Sequence, residues 1–407
     1  MLKNKYYLKF ESFFVLSPIM CLFFGVFNVP NAKHLLSRLL VVVTLYCFFR
    51  FKSWRNKFNN RVFKCFLYSS SILAIYSIFL HFSRNYDISF SRSIIPVLLY
   101  LVFVPVKYLN KNKLFIIILL SGIITGCSAF YEYFMLSLRA GTTVSNAIPF
   151  ATYASILLFT SIFMAKDLLP KKEQYKNIYY VFFMLSIIFS FSAIILSMSR
   201  GVWLATVLVS IIFLCGNIKN LLKFKGKFVL VLVFFSIICA FSFGKMLERF
   251  TETKSEVIKI EQGDRNSSIG IRLQLYQTGL NHFLITPFSG TSYEKDIQLS
   301  RKDLIDGRVT SAAYQFLLIN HYHNQFIYQL VYTGILGLFL FLTYLFTLPL
   351  VLRNKPGVLR NVVVSVLLVL LIAGVTDIPF RHAHITYLFS MLMGMLIISY
   401  ENRVDKA

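Results

Sequence analysis

The sequence predicts an all-α, polytopic membrane protein with about twelve transmembrane helices and one long loop outside the cytoplasm. Three observations carry that class. Hydrophobic residues make up 57% of the chain and charged residues only 14%. Mean hydropathy is +0.67, and apolar runs long enough to cross a bilayer recur from end to end. A soluble core of this size would carry more charge, whereas a span needs about 17–25 predominantly apolar residues.

Runs of that kind lie at 13–29, 35–51, 62–82, 93–108, 114–135, 147–165, 178–198, 202–217, 228–244, 325–352, 358–376 and 380–400. The first follows Lys3, Lys5 and Lys9, as in a signal sequence. Asn28-Val29-Pro30-Asn31-Ala32 offers no small-x-small cleavage site, so the run reads as an uncleaved anchor. The run at 35–51 carries Arg38, and the run at 93–108 is short. Between 178–198 and 202–217 stands only Ser199-Arg200-Gly201, too little for a solvated loop of any size.

Orientation follows from the basic residues. With the N-terminus inside, the cytoplasmic pieces hold 25 of the 42 Lys and Arg but only five acids, Glu11, Asp167, Glu173, Glu401 and Asp405. About +20 of the formal +25 therefore lies on one side. That charge is a topology signal and gives no reason to expect nucleic acid, despite a pI near 9.8. The six cysteines, Cys21, Cys47, Cys65, Cys127, Cys215 and Cys239, sit in or beside apolar runs without metal-ligand spacing, and read as packing residues.

Three parts result: helices one to nine over 1–244, a long polar loop over 245–324, and three helices with a cytoplasmic tail over 325–407. The loop carries nine acids and ten bases and is long enough for two or three helices of its own. Glu248, Glu252 and Glu256 recur at helical spacing, which reads as a solvated helix. In the stretch 268–280, Ile269, Leu273, Tyr276 and Leu280 share one helical face, with Ser267 or Ser268 as N-cap. Pro287 then ends the pattern.

Arg200 stands where a spanning segment should carry no charge, at a cost of roughly 2.5–3.5 kcal/mol at a helix centre. A guanidinium fork held at a membrane edge suits bidentate binding of phosphate oxygens; snorkelling to headgroups is the alternative. All seven histidines, with Arg200, Arg272, Arg381 and Asp377, fall on or near the outer face of this topology. The midplane is poor in charge, which argues against a transport path; its main exception, Glu132, reads as a packed, hydrogen-bonded or protonated carboxyl. Asn320-His321-Tyr322-His323-Asn324 closes the loop at a helix mouth, where an oriented histidine can accept a proton. His321 and His323 offer two metal ligands, but the spacing supplies no third. No nucleophile-elbow motif supports a Ser-His-Asp arrangement.

Three stretches resemble the bacterial O-antigen ligases of the O-antigen ligase/polymerase superfamily. Ser197-Met198-Ser199-Arg200-Gly201-Val202-Trp203-Leu204-Ala205 is similar to their S-R-G-x-W-L-A segment. Arg272, Tyr276, Gly279, Pro287 and Gly290 resemble their R…P…G stretch in the large periplasmic loop. His323-Asn324 and Gly334-Ile335-Leu336-Gly337 resemble their H-N…G-I-L-G segment. The resemblance implies a GT-C-like fold in the bacterial inner membrane and an inverting, metal-independent glycosyltransferase without cofactors. It further implies transfer of O-antigen from undecaprenyl pyrophosphate to a lipid A–core sugar at the periplasmic face. Arg200 and Arg272 match arginines that hold the pyrophosphate, and His323 matches the general base. His321, Arg381 and Asn324 are accessory positions, and no metal ligands are implied. Arg84, Arg92 and Arg139 read as interfacial anchors, with phosphates of the core oligosaccharide as the alternative. An O-antigen polymerase or a protein O-oligosaccharyltransferase would share this logic and differ in acceptor. A lipid-linked oligosaccharide transporter is the rival from another class.

Overall fold

The computed structural model describes residues 2–169, 173–221, 244, 247–355 and 357–401. Every regular element among them is helical. In chain order they are α1 (Leu2–Met20), α2 (Ala32–Arg50), α3 (Arg61–Arg84), α4 (Ser89–Phe103), α5 (Lys111–Phe130), α6 (Ala147–Leu168), α7 (Glu173–Leu196) and α8 (Arg200–Leu221). The long loop supplies α9 (247–261), α10 (Ser268–Ile285), α11 (Tyr293–Ile305) and α12 (Ser311–Ile319). The chain then forms α13 (Gln325–Val351), α14 (Val358–Thr376) and α15 (Ala383–Glu401).

Eight of the described helices are long and apolar enough to cross a membrane: α2, α3, α5 with its continuation to Met135, α6, α7, α13, α14 and α15. This is a multi-pass membrane protein. The eight fall short of the twelve runs expected, for identifiable reasons. α4 and the apolar stretch Arg200–Phe213 are shorter. The run at 13–29 is divided between α1, a π-helical turn at Cys21–Gly25 and a bend. The run at 228–244 lies, but for its last residue, outside the described residues.

α6 and α15 are the inner helices, with 83% of each span buried against 33% for α2, α7 and α13. Lipid tails are as apolar as leucine, so helices associate here through close backbone approach and hydroxyl hydrogen bonds. Accordingly α6 buries Ala151, Ala154, Ser155 and Ser161, and α15 buries Thr386, Ser390 and Gly394. A Cβ on Gly394 would stand 2.2 Å from Leu101 of α4. Tyr344 of α13 pairs with Ser390 of α15 at 2.9 Å.

The long loop docks on a break in α13. Gly334 has φ 67° and ψ −172°, which interrupts the helical ladder. The Phe288–Gly290 turn enters the break: Thr291 N–H donates to Val331 O at 2.7 Å and Ile335 N–H to Pro287 O at 2.8 Å. Gly290, also left-handed at φ 79°, leaves no room for a side chain, since a Cβ would sit 2.5 Å from the Tyr332 carbonyl carbon. Arg84 Nη1 closes the dock by donating to Ser289 O and Gly290 O at 2.8 and 2.7 Å. Pro287, Gly290 and Gly334 thus hold the loop on the bundle. Arg84 serves the same dock.

Candidate active site

The site is built around the C-terminal end of α14. Asn324 caps α13, its Oδ1 accepting from Phe326 N and Ile327 N at 2.9 and 3.1 Å. The same side chain donates from Nδ2 to Val375 O at 3.2 Å, tying the α13 start to the α14 end. His323, just before the cap, is left-handed at φ 49°. A non-glycine residue held there is strained and persists only where its surroundings impose it.

That conformation brings His323 Nδ1 to 3.4 Å from Asp377 Oδ1. His382 Nε2 lies 3.5 Å from the other carboxylate oxygen. Both are ion-pair separations, and the buried His323 Nδ1 makes no hydrogen bond among the described residues. His323 Nε2 makes no hydrogen bond among the described residues. Asp377 is 3% exposed. Burial alone would raise its pKa, but pairing with His323 and His382 outweighs that and holds the carboxyl well below the usual range. His321 accepts the His323 backbone N–H on Nδ1 at 3.2 Å. Burial, then the nearby His323, push its pKa down to about 3. His321 therefore stays neutral near pH 7, with its Nδ1 occupied.

Arg200 is the first residue of α8. The preceding turn places Met198 at φ 53° and is stapled by Arg139, which donates to Ser197 O and Met198 O at 3.0 and 3.3 Å. Burial, with Arg249 and Arg200 nearby, lowers the Arg139 pKa. Arg139 is thus a structural tie with both carbonyls in its grip. Gly201 backs directly onto Thr376, where a Cβ would sit 2.3 Å from Oγ1. The start of α8 therefore abuts the residue before Asp377. The Arg200 guanidinium meets Glu256 at 3.2 Å, Glu252 at 3.6 Å and the Thr253 hydroxyl. Glu256 also accepts from Ile269 N at 2.9 Å, so one carboxylate joins Arg200 to the first turn of α10. An anion is at home at such a helix end.

Arg272 lies on α10 one turn before Tyr276, whose hydroxyl sits 2.7 Å from Val375 O and 3.1 Å from His323 O. Among the described residues Arg272 makes no hydrogen bond and no ion pair. His323 and Asn324 thus meet the Val375–Asp377 segment directly, with His321 beside them, whereas Arg200 and Arg272 reach it only through their neighbours in the chain, Gly201 against Thr376 and Tyr276 against Val375. Arg381 sits farther out, exposed on a 3-10 turn and donating to Asn320 O at 3.2 Å. Glu132 is hydrogen-bonded, taking Thr142 N at 2.9 Å and the Thr143 hydroxyl at 2.6 Å.

Sequence reasoning did not assign site roles to Asp377, His382 and Tyr276. An acid ending an apolar run, with His382 and His384 close behind, was the available signal. Asp377 also changes the metal question. His321, His323 and Asp377 place one ligand atom each within 4.8 Å of one another, where spacing alone showed only two ligands.

Residues 185–342 match the family model described as O-Antigen ligase. No curated protein matches the chain. The matched stretch runs from within α7 to α13 and contains Arg200, Arg272 and His323. Over that segment, about two fifths of the chain, the protein is similar to the O-antigen ligase family, which supports membership of that superfamily.

Proposed function

We propose that the protein is an O-antigen ligase of the bacterial inner membrane, with its site on the periplasmic face. The donor is polysaccharide on undecaprenyl pyrophosphate and the acceptor is a hydroxyl of a lipid A–core sugar. The observation that carries this reading is the pairing of His323 with a buried, ionised Asp377 beside two arginines. Asp377 orients the ring on its Nδ1 side and stabilises the imidazolium that forms, leaving Nε2 for the acceptor hydroxyl. As that proton leaves, the hydroxyl oxygen bonds to the anomeric carbon from the face opposite the diphosphate, and the sugar–phosphate bond breaks with inversion. The departing diphosphate carries the charge that Arg272 and Arg200 neutralise, and fixed cations act strongly at a water-poor boundary. Arg200 becomes available as Glu252 and Glu256 give way to the diphosphate.

The test is a strain lacking its own ligase, complemented with this chain and scored for long polysaccharide on lipid A–core. At normal membrane levels of the protein, His323→Ala is expected to abolish detectable attachment, and Arg272→Ala and Arg200→Ala each to reduce it about 10–100-fold. Near-normal attachment by all three would remove the proposed site. If the deletion strain instead carries short, unpolymerised repeats on its core, the activity is that of a polymerase. A second reading is favoured by the three ligand atoms of His321, His323 and Asp377, which suit a divalent cation. It requires that a chelator abolish transfer and that added zinc or manganese restore it. The metal-free reading requires that chelation leave the rate unchanged.

A further inference from the structure

Behind the site lies a polar cluster that this reaction does not use. His282 of α10 is 2% exposed and gripped on both sides. Its Nδ1 lies 2.7 Å from Asp296 Oδ1 and its Nε2 lies 3.0 Å from Asp303 Oδ2, both from α11. Asp296 also accepts the Tyr322 and Tyr332 hydroxyls, each at 2.6 Å. Arg308 reaches the outer oxygen of Asp303 at 3.1 Å. Burial opposes a charge on His282, but the two carboxylates outweigh it and raise its pKa, and a carboxylate oxygen on each ring nitrogen suits a ring that donates on both sides. The cluster is closed to substrate.

Its outlet is Tyr322. That residue is fully buried, stands between His321 and His323 in the chain, and packs its ring on Gly279, where a Cβ would lie 2.9 Å away. The left-handed His323 needs restraint on both sides. Asn324 and Val375 supply it on the C-terminal side. On the N-terminal side the restraint is the Tyr322 hydroxyl on Asp296. We propose that His282, Asp296 and Asp303 form a positioning device, which fixes Tyr322 and thereby aims His323 at the acceptor hydroxyl. This rests on reading His323 as the general base.

His282→Ala would strand two buried carboxylates and unfold the loop, so the test uses two matched variants of the full-length protein. Tyr322→Phe and Tyr332→Phe each remove one hydroxyl from the same carboxylate, but only Tyr322 adjoins His323. In a transfer assay with a lipid-linked donor, Tyr322→Phe is expected to lower kcat about tenfold or more with donor KM within about twofold. Tyr332→Phe should lose a similar amount of thermal stability with kcat within about twofold of wild type. Equal, wild-type kcat in both variants while His323→Ala stays inactive would overturn the positioning role alone. Activity in His323→Ala would overturn the base assignment, and with it the device.

Discussion

Two polar clusters of this bundle solve the same problem with opposite results. At the end that the charge distribution places inside, Lys57 is 1% exposed and all three ammonium protons are taken. They go to Leu101 O at 2.7 Å, Val102 O at 2.9 Å and Val104 O, which caps the end of α4. Close by, Glu11 accepts the Tyr46 and Tyr108 hydroxyls at 2.8 and 2.6 Å and pairs with Arg50 at 3.5 Å. At the opposite end Arg272 has no partner among the described residues. His323 has a spare ring nitrogen, and Asp377 is divided between two loose contacts. A fold satisfies most of the polar groups it buries, so capacity left over at one end of the bundle is the feature on which the proposed site rests.

The largest effect expected from this contrast is on chemistry. His323→Ala should lower kcat by about 10²–10⁴-fold, the usual worth of a positioned base. Asp377→Asn should follow it, since the amide orients the ring but cannot stabilise the imidazolium. A wild-type rate for Asp377→Asn in membranes would show that the pairing does not serve the reaction.

The two arginines sharpen the comparison further. Among the described residues Arg272 has no ion pair, whereas on the proposed reading Arg200 would first have to leave Glu252 and Glu256. Each should be worth about 10–100-fold in transfer, as charge-assisted contacts contribute roughly 1.5–3 kcal/mol. Glu256→Gln should relieve the competition at Arg200 and lower the donor KM several-fold with kcat little changed. An unaltered KM would show that the carboxylates do not compete with the diphosphate.

Much of this arrangement was legible in the sequence, for physical reasons. Spans announce themselves because a bilayer demands long apolar runs, and Arg200 stands out by interrupting one. Ser267 or Ser268 was expected as the cap of α10, and it is Ser267 that serves, accepting from Gly270 N at 3.2 Å. The face expected from the apolar pattern of α10 proved misleading. Leu273 and Leu280 are about half exposed, while Gly279 and His282 turn inward. A face built from a glycine under a tyrosine ring and a histidine between carboxylates leaves no hydrophobic period to detect. Asp377 was hard to assign because its partner His323 lies 54 positions earlier, a distance that only the packed chain closes.

The inner cluster gives the complementary prediction, a loss of stability without a loss of chemistry. Lys57→Met removes the donor to three buried carbonyls, each costing about 1–3 kcal/mol if left unsatisfied. The thermal midpoint should fall clearly while kcat per folded molecule stays at the wild-type value. A variant with lowered kcat and unchanged midpoint would break the division between the two ends.

The smallest effect is a pH dependence that sets two neighbouring histidines against each other. The folded pKa of His321 is about 3, against 6.5 when unperturbed. Between those values the unfolded chain binds the extra proton, so this residue subtracts stability progressively as pH falls from 6.5 towards 3. His282 behaves in reverse. Its folded pKa is raised above 6.5, so its contribution is complete below that pH and is lost as pH climbs through the folded value. Together they place a stability maximum near pH 6.5. His321→Gln should flatten the acid side of a melting-temperature profile and leave the alkaline side unchanged. His282→Gln should lower the whole profile and flatten the alkaline side, because the stabilising charge is gone. An acid limb that keeps its slope above about pH 4 in His321→Gln would show that His321 is not its source, because the lowered pKa of Asp377 withdraws stability only below its ordinary value of 3.8.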